Sequence, residues 1–320
     1  LGLNLKHGPN IAYTIITLLT VKLAFLAALW CFFGALRYTG LRSHHRFYLT
    51  LTLGAGSLLF PWSTTFNNHS LAASFLTIGF YFLLKVRFEE AHGRYFLISG
   101  VCFALAGACD VPTGLFHLLF TGYLIIISTS PRHIVLFTAP LLLTMTIYMA
   151  HNAMISGSIT PFQTNPEFFA YEGSAFAQPG ELSGTQVNSP AAILGQVIHY
   201  LFGKNGFILY NPMLFIAVPL LLREIFLKRD FWREACLILA GSIVIMTYYF
   251  VMTNNSGGWS YSIRWFVPLL PMVLFFLYPV FETRSPKTRL FTVLLCASLV
   301  ISLVGTFDPW SDKSVNEASL

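Results

Sequence analysis

Little in this chain carries charge, and negative charge is the scarcer kind. Its 320 residues hold 13 Asp and Glu against 19 Lys and Arg, so charged residues make up only 10%. With 55% hydrophobic residues and a mean hydropathy of +0.66, that shortage excludes an ordinary water-soluble domain and points to membrane spans. Paired cysteine spacing is also missing. Cys31, Cys102, Cys109, Cys236 and Cys296 lie within or at the ends of apolar runs, which excludes a disulfide scaffold or a structural zinc and leaves packing as their role. The formal charge of +6 does not indicate nucleic acid, because the basic residues punctuate hydrophobic runs instead of clustering on a polar surface. No internal repeat is visible, and no basic n-region followed by a short apolar stretch marks a signal peptide. The chain opens at Leu1 without an initiator Met, and the expectation is a fragment whose upstream part is missing.

What the chain has is apolar runs. They cover Ile11–Leu36, Phe47–Phe60, Ser70–Leu84, Tyr95–Cys109, Thr113–Ser128, Ile134–Ala150, Gly206–Leu222, Cys236–Thr253, Trp265–Phe281 and Leu290–Thr306. Several fall short of the ~20 residues that cross a bilayer at 1.5 Å each, so their boundaries are soft. Alternate connections carry the basic residues: Arg37, Arg42 and Arg46; Lys85, Arg87 and Arg94; Arg132; Arg223, Lys228, Arg229 and Arg233; Arg284, Lys287 and Arg289. Positive loops stay cytoplasmic, so the first span is predicted to run from outside to inside. Only Lys6, Lys204, Arg264 and Lys313 then face outward, while Lys22 lies within a span and either snorkels or pairs. Trp62, Tyr95, Trp259, Tyr261 and Trp265 suit an interfacial aromatic belt.

The expected fold is all-α: a polytopic transmembrane helical bundle of about ten spans with one larger extracytoplasmic loop. Residues 1–150 hold spans one to six, 151–205 form that loop, and 206–320 hold spans seven to ten and a short tail. Pro, Gly, Asn and Ser make most of the loop irregular, but Ala191 to Phe202 has the apolar spacing of a helix lying on the membrane.

Polar groups at membrane depth mark the candidate site. The turn from Pro61 to His69 and the turn Cys109-Asp-Val-Pro-Thr113 each join short apolar segments, an arrangement tolerated where protein or a water-filled cavity surrounds the backbone. Asp110 needs a partner from elsewhere in the chain or serves as a cap for the helix starting near Pro112. Asn67, Asn68 and His69 either cap the next helix or hydrogen-bond a polar ligand. Arg264 opens a span on the side where Arg is otherwise absent, after Gly257 and Gly258, and its planar donor fork suits phosphate. The alternative is an interfacial anchor. Lys204 is a second outward cation, and Tyr261 is a further polar group of the same cavity.

Four stretches in this order carry a resemblance: Phe60 to Ala72, Leu105 to Gly114, His151 to Pro161, and Phe202 to Pro212 together with Gly257 to Pro268. They are similar to integral-membrane glycosyltransferases of the GT-C superfamily, in the bacterial branch of protein O-mannosyltransferases and aminoarabinose transferases. The resemblance implies a polyprenyl-phosphate-linked sugar donor, a lipid, glycan or protein acceptor arriving from outside, and a place in the bacterial plasma membrane among membrane lipids. It further implies that a carboxylate in the first large outer loop deprotonates the acceptor while cations hold the phosphate leaving group. No acidic pair precedes the first visible span, so that base is expected upstream. Asp110 is then a catalytic candidate of the cavity, and Arg264 and Lys204 are assigned to the donor phosphate. No cofactor or metal ligand set is indicated, and a divalent ion stays open. A secondary transporter and a non-catalytic scaffold lacking the catalytic loop are the competing functions.

Overall fold

The computed structural model describes residues 11–89, 92–127, 130–161, 189–253, 260–282 and 287–310. In chain order these form α1 (Ile11–Thr39), α2 (Ser43–Gly54), α3 (Leu59–Ser63), α4 (Asn68–Phe88), α5 (Gly93–Cys109) and α6 (Gly114–Ile127). They continue with α7 (Pro131–Ser156), α8 (Pro190–Phe202), α9 (Leu214–Phe226), α10 (Trp232–Met252), α11 (Arg264–Phe281) and α12 (Lys287–Gly305). No strand occurs among the described residues. The all-helical class predicted from the sequence is therefore the class observed.

Six of the described helices are long and apolar enough to cross a membrane: α1, α4, α7, α10, α11 and α12. The sequence suggested about ten spans, and local chemistry explains the difference. The run Phe47–Phe60 divides because α2 stops at Gly54, whose neighbours turn the chain until Leu58 N donates to the buried side chain of Asn211 at 3.0 Å. In the run Gly206–Leu222 the first residues form turns, and a helix begins only at Leu214 after Pro212. The helices α5 and α6 are real but short, at 17 and 14 residues.

Two spans are irregular inside. In α1 a π-helical turn at Leu18–Lys22 carries Lys22, which has no ion pair among the described residues. In α11 a short α-helical piece sits between two 3-10 pieces, because Pro268, Pro271 and Pro279 each remove a backbone donor. Such a helix is tolerated at membrane depth only when protein surrounds it, and α11 is the most enclosed of the six. It packs against α4, α9 and α2, while α4 also touches α1 and α5. The α5–α7 crossing is close enough that a Cβ on Gly100 would collide with the backbone of Phe137.

At one end of the bundle the basic residues are clasped by glutamates. Arg87 donates to the fully buried Glu234 at 2.5 Å, and Tyr123 Oη donates to the same carboxylate at 2.7 Å. Glu224, equally buried, accepts from Tyr278 Oη at 2.7 Å and from Phe231 N at 2.9 Å. Arg229 reaches Glu282 at 2.5 Å, and Arg37 pairs with Glu89. The polar turns lie at the opposite end.

Candidate functional site

The site is assembled where α4 begins and α5 ends. Asn67 caps α4 by accepting from Ser70 N at 2.9 Å, and its amide donates to the carbonyls of Trp62 and Thr65. That fixes the turn and sets Asn68 and His69 in the first helical turn. Asn68 Nδ2 donates to Cys109 O at 3.0 Å, which ties the start of α4 to the end of α5. His69 Nδ1 then lies 3.1 Å from Asp110 Oδ2, with both side chains buried.

Asp110 occupies an extended break between α5 and a 3-10 turn over Val111–Thr113. Its side chain makes no capping hydrogen bond. The local turn is closed by its backbone oxygen, which accepts from Thr113 N at 2.9 Å and Thr113 Oγ1 at 2.7 Å. The carboxylate is thereby left for His69 and for Tyr249 Oη, which approaches from α10 at 3.4 Å. The partner that the sequence required for Asp110 is a histidine and a tyrosine; Lys22 does not supply it.

Tyr249 continues the site toward α11. Its ring stacks on Trp265, the residue after Arg264, with centroids 4.7 Å apart and planes 7° apart. Arg264 is half-buried, its Cζ lies 4.8 Å above the Trp310 ring, and its Nε has no hydrogen-bond partner among the described residues. Among the described residues no carboxylate pairs with it. Just before it Ser262 takes a left-handed backbone with φ 64°, a conformation costly for a non-glycine residue. Two hydrogen bonds sustain the turn: Ser260 Oγ to Ser262 O at 2.8 Å and Ser262 Oγ to Asn205 O at 3.0 Å. The second brings the exposed Lys204 turn beside the Arg264 turn.

Tyr261 serves mainly as a strut. Its hydroxyl donates to Ile301 O at 2.8 Å, its backbone N donates to Pro309 O at 2.9 Å, and its ring meets Tyr210 edge-on at 4.8 Å. Burial, with Tyr210 adding to it, pushes its phenol up to about 12, so it stays neutral. The helix predicted over Ala191–Phe202 is present as α8. Tyr200 Oη and Gln196 Nε2 attach it to Thr253 O at the end of α10, at 3.0 and 2.5 Å. Gly257, Gly258, Trp259 and residues 162–188 of the loop lie outside the described residues.

Sequence reasoning did not find Tyr249 or Trp310. Tyr249 is hidden in a run that is apolar on every face, where periodicity singles out nothing. Trp310 follows the last span, away in sequence from the polar turns that mark the site.

No family model, curated protein or solved structure matches this chain.

Chemically, the site holds a buried carboxylate–imidazole pair, bonded to Tyr249, and a guanidinium without a counter-ion among the described residues, with the Tyr249–Trp265 stack between them. The pair can accept a proton, and the guanidinium can hold an anion. Among the described residues no three His, Cys, Asp or Glu side chains gather into a metal-binding set.

Proposed function

We propose that the protein is a GT-C-like membrane glycosyltransferase that moves a sugar from a polyprenyl-phosphate-linked donor to an acceptor at the extracytoplasmic face of a bacterial plasma membrane. The observation that carries the reading is Arg264, a half-buried cation without an acidic partner among the described residues, at the helix ends that also hold Asp110 and His69. A charge at membrane depth marks a functional site, and a guanidinium suits an oxyanion.

In this reading the acceptor's hydroxyl or amine attacks the anomeric carbon, and the bond from that carbon to the phosphate oxygen breaks. Polyprenyl phosphate leaves with the electron pair. Arg264 stabilises the charge growing on the phosphate, and Lys204, on the adjacent turn, adds a second cation. Asp110 and His69 lie on the acceptor side, where the nucleophile's proton must go. The basic end faces the cytoplasm, in keeping with the costs of moving Lys and Arg across a bilayer, and the site end faces outward.

The test is transfer of radiolabelled sugar from a panel of polyprenyl-phosphate sugars in membranes containing the complete protein or its Arg264→Ala variant. Losing a charge-assisted contact costs ~1.5–3 kcal/mol, so the variant should be about 10- to 150-fold slower. A rate within about twofold of wild type rules out the phosphate role.

A further inference from the structure

Two buried donors that meet one aromatic side chain at the site end lack hydrogen-bond partners among the described residues: Trp62 Nε1 and Arg264 Nε. Both side chains touch Trp310, whose ring lies 4.8 Å from Arg264 Cζ and meets Trp62 edge-on at 4.9 Å. Buried donors are paired in folded proteins, and an orphan marks either strain or a missing acceptor. Two orphans against one aromatic side chain point to an acceptor-rich ligand that replaces it.

Trp310 is built to leave. It is 42% exposed although it covers two buried groups, and it sits beyond the end of α12 on an irregular segment. Its indole donates to Thr65 Oγ1 at 2.9 Å, but Thr65 also bonds Tyr13 Oη at 2.6 Å, so the hydroxyl keeps a partner when the indole swings out. The backbone link from Tyr261 N to Pro309 O does not involve the indole and survives a side-chain rotation. Stacking on the guanidinium face offsets the charge electrostatically while giving no acceptor to its edge, so the guanidinium still favours an oxyanion.

We propose that Trp310 is a lid over an anion site whose donors are Arg264 and the Trp62 indole, and that a phosphate ester displaces it. The inference rests on the reading of Arg264 given under Proposed function and adds the device that controls access to it. Without ligand the ring shields the cation. With ligand, phosphate oxygens take over the two donors and the indole moves outward.

The test is binding of farnesyl phosphate, farnesol and inorganic phosphate to the full chain in dodecyl maltoside micelles, which carry no competing phosphate. Removing the competing cation–π contact in Trp310→Ala should tighten farnesyl phosphate binding about tenfold. Trp310→Phe keeps a ring but loses the Thr65 bond, and its affinity should fall between those of Trp310→Ala and wild type. Arg264→Gln should remove binding both alone and combined with Trp310→Ala, and farnesol should bind none of the proteins. Competition by inorganic phosphate would show that the headgroup alone displaces the lid, and failure to compete would show that the lipid ester is required; either is consistent with the lid. Unchanged or weaker binding by Trp310→Ala, with Arg264→Gln still inactive, overturns the lid and leaves the phosphate role of Arg264 standing. Full binding by Arg264→Gln, or equal binding of farnesol, overturns both.

Discussion

Gly100 lies where α5 crosses α7, and alanine there should lower stability by roughly 1–4 kcal/mol, the sum of three effects. The new Cβ would meet three backbone atoms of Phe137, and backbone cannot rotate aside as a side chain can, so the helices must separate. Overpacking of this kind costs ~1–3 kcal/mol. Separation also stretches the bond from His117 Nε2 to Phe137 O, now 3.0 Å, and His117 Nδ1 already has no partner among the described residues. A hydrogen bond between membrane helices adds about 0.6–1.7 kcal/mol. Against these stands the helix preference of alanine over glycine, about 1 kcal/mol in the stabilising direction. The internal control is Gly122→Ala on α6, where a Cβ meets nothing within 4 Å and only the favourable effect remains. Reversible unfolding by SDS in mixed micelles measures both. The reasoning fails if Gly100→Ala gains stability as Gly122→Ala does, because the sign of the difference is what the close crossing determines.

Asp110→Asn should cost about 1–3 kcal/mol by the same assay, since the charge-assisted bond to His69 becomes a neutral one. Unchanged stability together with unchanged sugar transfer would reduce Asp110 to a spacer in the turn. At the other end of the bundle, Glu234→Ala leaves the partly exposed Arg87 with the Asp230 carbonyl alone and strands the Tyr123 hydroxyl, and should cost about 2–4 kcal/mol, with part of the loss recovered in the double variant with Arg87→Ala. A cost below about 1 kcal/mol would mean that water reaches the clasp.

Much of this was legible in the sequence because the chemistry was local. The turns containing Asn67, His69 and Asp110 stood out as polar groups between short apolar runs, and the structure brings those turns into contact. Arg264 stood out because it broke the alternation of basic connections. What escaped were residues whose meaning depends on a distant partner. Glu224 and Glu234 are ordinary in sequence, yet each is fully buried against residues from other helices. Span limits were blurred for a different reason: hydropathy does not register where a backbone turn finds the partners it needs. The break after α2 depends on Asn211, 153 residues from Leu58, whose amide satisfies the interrupted backbone.

The glutamate clasps also constrain how the chain is assembled as it is made. Glu234 finds Arg87 and Tyr123 already synthesised, 147 and 111 residues earlier, so α10 can dock on arrival. Glu224 is in the opposite position. Its tyrosine lies 54 residues downstream, and Arg229 beside it waits 53 residues for Glu282. Domains synthesised from the N-terminus settle in that order when partners permit, but a carboxylate headed for an apolar interior settles only when it is paired. Phe231 N and Arg229 meet Glu224 from close by in sequence, but its second carboxylate oxygen receives the Tyr278 hydroxyl only when the proline-broken α11 arrives, so burial of α9 is expected to finish after α11 enters.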